Sequence, residues 1–157
     1  MTPPSEISQE IVKETSAGGV VFRRTPKGSR FLLIKDPYKK WGLPKGHVDS
    51  GESYAETAER EVAEETALCE LILHGSLETI GWHFRLRGKR IHKSCHFFLF
   101  EAPTGLPSPQ EEEGILECRW FTHGEAMKTI SYENARNVLR QAGAIVADRF
   151  EDSEPND

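Results

Sequence analysis

The stretch that most constrains this chain is Gly46 to Leu68, GHVDSGESYAETAEREVAEETAL. Its second half places Glu61, Glu64 and Glu65 within five residues, in a run with helix-forming composition. An α-helix turns about 100° per residue, so the three acids share one arc of about 100°. The small apolar residues Ala55, Ala58 and Val62 lie along the adjoining arc and can pack on a sheet while the acids face an opening. Like charges three and four residues apart destabilise a helix by about 0.2–0.5 kcal/mol per pair. A cation should offset that repulsion, and clustered carboxylates select a hard divalent ion such as Mg²⁺, Mn²⁺ or Ca²⁺. A Glu-rich helix face is more commonly just solvated, so the spacing around the acids has to decide.

Five residues separate Gly46 from Glu52, and seven separate Glu52 from the pair Arg60-Glu61; Val62, Ala63, Glu64-Glu65, Thr66, Ala67 and Leu68 follow. This resembles the signature of the Nudix hydrolases: Gly, five residues, Glu, seven residues, Arg-Glu, an aliphatic residue, any residue, Glu-Glu, any residue, Gly, an aliphatic residue. Every defined position matches except Ala67, which stands where the signature has its last Gly. A Gly there would favour a left-handed turn after the helix, and an Ala in that conformation costs on the order of 1 kcal/mol. The specific match covers 23 of 157 residues. Looser similarity extends from Ser16-Ala17-Gly18-Gly19-Val20 through Trp41-Gly42-Leu43-Pro44-Lys45-Gly46 to Arg119-Trp120-Phe121.

The resemblance implies a mixed-sheet α/β/α sandwich and hydrolysis of a nucleoside diphosphate linked to another group X, with water attacking phosphorus. It implies Mg²⁺ or Mn²⁺ as cofactor, with Glu61 and Glu65 as main ligands and Glu64 as a further ligand or the base. The backbone carbonyl of Gly46 would be an additional ligand, and Glu52 and Arg60 would form a supporting salt bridge. The base in the family is a helix Glu or a Glu from a distant loop. Here Glu111, Glu112 and Glu113 offer such a loop, with Glu113 the candidate for an additional base or ligand.

For substrate, Lys39, Lys40, Lys45, Arg85, Arg87, Lys89, Arg90 and Lys93 are cations that could meet phosphates. Tyr38, Trp41, Trp82 and His83 could stack a base. Lys45, Lys93, Tyr38, Trp82 and His83 are the expected substrate-binding set. Ile80 to Phe98, with WGLPKGHV upstream, is similar to the subgroup that cleaves diadenosine polyphosphates and its relatives acting on diphosphoinositol polyphosphates. That subgroup carries a Lys and, four residues on, a Tyr in this strand; the matching pair here is Lys93 and Phe97. The expectation is cleavage of a dinucleoside polyphosphate such as diadenosine tetraphosphate. Nucleoside triphosphates, capped RNA ends and diphosphoinositol polyphosphates are the alternatives. A non-catalytic nucleotide sensor is the alternative from another class, but a sensor has no need of three clustered acids.

Composition bounds the rest. The 157 residues suit one domain with its own core. A net charge of −5 argues against general nucleic-acid or membrane-surface binding. Cys69, Cys95 and Cys118 form no CxxC pair, which suggests reduced thiols in a cytoplasmic protein. No apolar run reaches membrane-spanning length, and the first residues carry no hydrophobic signal region. The partner expected is a small nucleotide or polyphosphate, for a monomer or a homodimer.

Along the chain, residues 1–12 read as a flexible arm, 13–150 as a single domain and 151–157 as an acidic disordered tail. Strands are expected over Ala17–Arg24 and Phe31–Lys35, joined by a turn at 25–28, with a short strand near Trp41–Leu43. A helix from about Ser53 to Thr66 follows. Further strands are expected at Leu71–Leu73, Leu77–Leu86, Arg90–Phe100 and Ile115–Phe121, with Gly75 a break and Arg87-Gly88-Lys89 a hairpin turn. Residues 102–113 read as a loop, and 123–130 and 132–150 as helices, the second with an apolar stripe from Val138 to Phe150. Strands and helices in this order predict an α/β domain whose sheet is covered on both faces.

Overall fold

A computed structural model describes residues 10–150. The expected N-terminal arm and acidic tail, but for residues 10–12, lie outside the described residues. The elements run β1 (Ile11–Thr25), β2 (Gly28–Lys35), β3 (Trp41–Gly42), β4 (Lys45–His47), α1 (Tyr54–Thr66), β5 (Ile72–Leu86), β6 (Lys89–Glu101), a 3₁₀ turn (Glu111–Glu113), β7 (Glu117–Phe121), α2 (His123–Thr129) and α3 (Glu133–Phe150).

The seven strands form one mixed sheet. Its centre is β1, which runs parallel to β6 from Ile11 opposite Arg90 to Phe22 opposite Glu101. All other pairings are antiparallel. On its other edge β1 meets β4 at Ser16–Gly18 and β2 at Phe22–Thr25. The far end of β2, at Ile34 and Lys35, pairs instead with β3. The chain from Trp41 to His47 is therefore a wedge between β2 and β1, closed by the Gly19 amide donating to the Pro44 carbonyl at 3.1 Å.

Alternation along the strands divides the core in two. Val20, Phe22, Phe31, Leu33, Phe97 and Leu99 pack under Ala126 and Ile130 of α2 and Val138, Leu139, Ala142 and Val146 of α3. Ala17, Val21, Leu32 and Phe100 pack under Ala58 and Val62 of α1. Gly19 lets α1 approach the sheet, because a Cβ there would crowd Phe100 and Val62. The result is the expected α/β/α sandwich with a mixed sheet.

Three elements differ from the sequence expectation. β1 begins at Ile11 rather than Ala17, because β6 offers its first half a parallel partner. Gly75 does not break the chain into two strands: β5 is continuous, with register shifts between Leu73 and Gly75 and between Ser76 and Thr79. Gly75 takes φ +134, so a residue without a Cβ absorbs the irregularity. The third is β4, which lies within the segment read as loop.

Candidate active site

Helix α1 is fixed at both ends. The Ser53 hydroxyl accepts from the Glu56 amide at 3.1 Å and the Glu56 carboxylate accepts from the Ser53 amide at 2.8 Å, a reciprocal cap. At the other end Ala67 takes φ +66 and donates to the Ala63 carbonyl at 2.9 Å. The substituted motif position thus keeps the left-handed turn that its Gly would serve. Between these ends Glu61 and Glu65, together with Thr57, Ala58, Val62 and Thr66, are buried, while Glu64 is exposed.

Arg60 organises the acids. Its Nε and Nη2 donate to both oxygens of Glu52, at 2.7 and 3.0 Å. Its Nη1 donates to Glu61 at 2.9 Å and to Glu64 at 3.1 Å, and Nη2 reaches the His47 carbonyl at 3.1 Å. Asp49 stands 3.3 Å away. This guanidinium holds the Glu52 carboxyl down at about 2, aided by the Thr57 hydroxyl. Its own pKa is raised, chiefly by Glu52. The loop before the helix is thereby tied to the helix face, and part of the charge repulsion expected on that face is offset from within the chain.

Burial acts on the two enclosed acids as well. Burial raises Glu61, with Arg60 pulling the other way. Glu65 is pushed up to about 9 by burial and by the charge of Glu61, although Lys45 supplies an opposing charge and a backbone hydrogen bond. Gly46 lies directly against this pair: a Cβ there would overlap the Glu61 carboxylate. The 3₁₀ turn brings in Glu113, whose carboxylate oxygen lies within 4.8 Å of oxygens from Glu61 and Glu64. Its segment is held to the helix end by the Ser108 amide on the Thr66 carbonyl and the Gln110 amide on the Glu65 carbonyl, at 2.8 and 3.3 Å. Three carboxylates in reach of one point, beside a fourth that is buried, fit a hard divalent cation.

A cleft of about 650 Å³ opens beside the acids, with Glu65, Lys45 and Glu113 in its lining. Ile34, Leu43, Ile80, Phe97 and Ile115 give it an apolar lining, and Tyr38, Trp82 and Tyr132 add aromatic rings. Of the expected substrate-binding set, Tyr38, Lys45 and Trp82 line this cleft. Lys93 and His83 do not: Lys93 pairs with Glu14 at 3.6 Å, and His83 stacks on His92 with ring centroids 4.2 Å apart. Strand alternation accounts for His83, which faces away from its neighbour Trp82. Phe97, the aromatic that stands at the subgroup's Tyr position, is a buried part of the lining.

Asp36, Tyr132 and Asn134 also line the cleft and escaped the sequence reading. Asp36 accepts from the amides of Tyr38 and Lys40 at 2.9 and 3.0 Å and from the Tyr132 hydroxyl. The Asp-Pro pair before an aromatic and two lysines was the local signal of such a turn.

The comparisons with known proteins bear on family and fold. A model of the NUDIX domain matches residues 13–142. Over 142 residues the chain is 32% identical to a Mycobacterium tuberculosis relative provisionally named mutator protein MutT4, covering 86% of this chain and 56% of that one. It thus spans just over half the length of that relative. It is 28% identical over 148 residues to the asymmetrical bis(5′-nucleosyl)-tetraphosphatase of Caenorhabditis elegans, covering 84% of this chain and 96% of the relative. The fold is similar to a solved C. elegans Ap4A hydrolase binary complex, with TM-score 0.72 and 27% identity, over 86% of this chain and 98% of that one. Signature, fold and matched span together establish that the chain belongs to the Nudix hydrolase family.

Proposed function

We propose that this Nudix hydrolase cleaves a phosphoanhydride bond of a dinucleoside polyphosphate, with diadenosine tetraphosphate the leading candidate. The observation that carries the reading is the junction of an acidic cluster, Glu61, Glu64 and Glu113, with an aromatic-rimmed cleft that shares Glu113 and adds Glu65 and Lys45. Relatives named for asymmetrical cleavage of such substrates support it.

Glu61, Glu64 and Glu113 would hold Mg²⁺ or Mn²⁺, with Glu65 and the Gly46 carbonyl as further ligands. When bound, such an ion neutralises phosphate charge and lowers the pKa of an attacking water. Lys45, in the cleft lining, would meet the polyphosphate. Tyr38 and Trp82 offer ring faces to a base. Arg60 keeps Glu61 and Glu64 in place from behind. Whichever of Glu64 and Glu113 is left off the ion would take the proton of the water as its oxygen bonds to phosphorus and the bridging P–O bond breaks, the bridging oxygen leaving with the departing phosphate.

The test is a substrate screen with Mg²⁺ and with Mn²⁺, resolving products by chromatography. It includes diadenosine tetraphosphate, nucleoside triphosphates, an oxidised deoxynucleotide, capped RNA, ADP-ribose and a diphosphoinositol polyphosphate, with Glu65→Gln alongside. Cleavage of diadenosine tetraphosphate to ATP and AMP, reduced by on the order of 10²–10⁴-fold in the variant, is expected. Preference for another polyphosphate keeps the site and replaces the substrate. Binding without turnover on every compound overturns the enzyme reading in favour of a sensor.

A further inference from the structure

Arg85, Arg87, Lys89, Arg90 and Lys93 fall between Thr79 and Phe100, a stretch with no Asp or Glu, in a chain of net charge −5. The fold makes a feature of this segment. β5 and β6 pair as a ribbon whose outer end, Arg85–Leu86 against Lys89–Arg90, has the start of β1 beside it, and they turn at Arg87-Gly88, both with positive φ. Arg85, Arg87 and Lys89 are exposed and hold no ion pair among the described residues. Lys13, also exposed, sits on β1 opposite His92, on the face that carries Arg85, while its neighbour Glu14 pairs with Lys93.

This positive end stands close to the cleft. Trp82, which lines the cleft, lies on β5 three residues before Arg85. At about 3.3 Å per residue, Lys89, opposite Leu86, is about 13 Å further along on the face that Trp82 shares, while Arg85, about 10 Å along, faces the other side of the ribbon as His83 does. These spans are close to the Debye length of about 10 Å at 0.1 M ionic strength. The acids in the cleft lining and the negative net charge both repel a polyphosphate. A local positive field beside the opening reverses that along one direction of approach.

We infer that the tip of the β5–β6 ribbon is an electrostatic capture surface, which speeds the encounter of polyphosphate substrates with the cleft and takes no part in bond cleavage. The inference rests on the polyphosphate reading above. Steered association gains about 10–10³-fold in rate and loses it as salt rises.

The test compares wild type with the double variant Arg87→Glu/Lys89→Glu, and with Arg87→Gln/Lys89→Gln as a milder pair at the same exposed positions. Association of ATP, and of uncharged adenosine as control, is followed by stopped-flow tryptophan fluorescence at ~0.02 M and ~0.5 M salt. Turnover of diadenosine tetraphosphate is measured at both. The charge-reversed protein is expected to bind ATP about 10-fold more slowly at low salt, to match wild type at high salt, and to keep adenosine association and kcat unchanged. The Gln pair should fall between. Equal salt dependence in wild type and both variants overturns the inference, as does a slowing that persists at high salt or extends to adenosine. If association is steered but no polyphosphate is turned over, the proposed reaction fails and the capture surface stands.

Discussion

At the scale of the residue, Ala67 and Glu65 make opposite statements about stability. Ala67 sits at φ +66, where a Cβ is a cost and a Gly is not. Ala67→Gly is expected to raise stability by about 1 kcal/mol and the melting temperature by about 2–4 °C, with activity unchanged; a thermal melt checks it. Glu65 is held at about 9, above its ordinary 4.5. Between those values the folded protein retains a proton that the unfolded chain gives up. The stability from this group is full below the unfolded pKa and declines as pH rises through the folded one. Metal-free protein should therefore lose melting temperature as pH climbs from about 4.5 to about 9. Glu65→Gln should flatten that slope, and Mg²⁺, which binds the ionised form, should oppose it. The three acids were legible from spacing alone. Their burial was not, because spacing fixes which side chains share an arc and not what covers them.

At the scale of the element, α1 works as a unit with the loop before it. Arg60 bridges Glu52 on the loop to Glu61 and Glu64 on the helix. Arg60→Ala removes the cation beside the buried Glu61 and unties from the helix the loop that carries Asp49 and Glu52. Metal affinity by calorimetry and turnover should both fall about 10–100-fold, and the circular dichroism of the helix should persist because the Ser53–Glu56 cap is untouched. The helix was readable because its periodicity and charge pattern are local, while its Ser53–Glu56 cap came from the structure. The first half of β1 was not: IVKETS carries β-branched residues but no alternating pattern that reaches a core, and it is β6 beside it that extends the strand. β5 misled for the converse reason: Gly75 signals a break locally, and the ladder to β6 carries the chain across it.

At the scale of the whole molecule, the cleft is assembled from the wedge, two long strands, the 3₁₀ turn and the start of α3. Its outer wall depends on a bond across 96 positions of sequence, from the Tyr132 hydroxyl to Asp36, with the Trp41 amide on the Ser131 hydroxyl at 3.0 Å beside it. Tyr132→Phe removes the first of these while keeping the ring. It is expected to raise KM about 2- to 10-fold with kcat little changed, as steady-state kinetics would show. By itself the sequence determined the family signature, the helix that bears the acids, the cation class they suit and the two-faced sheet, because each is written in local spacing and alternation. Only the tertiary structure decided that Glu113 joins Glu61 and Glu64, that Trp82 and Lys45 share a cleft while His83 and Lys93 do not, and that Asp36 and Tyr132 close its wall. Those facts depend on which distant segments pack together, and packing follows from the whole sheet rather than from any one stretch of it.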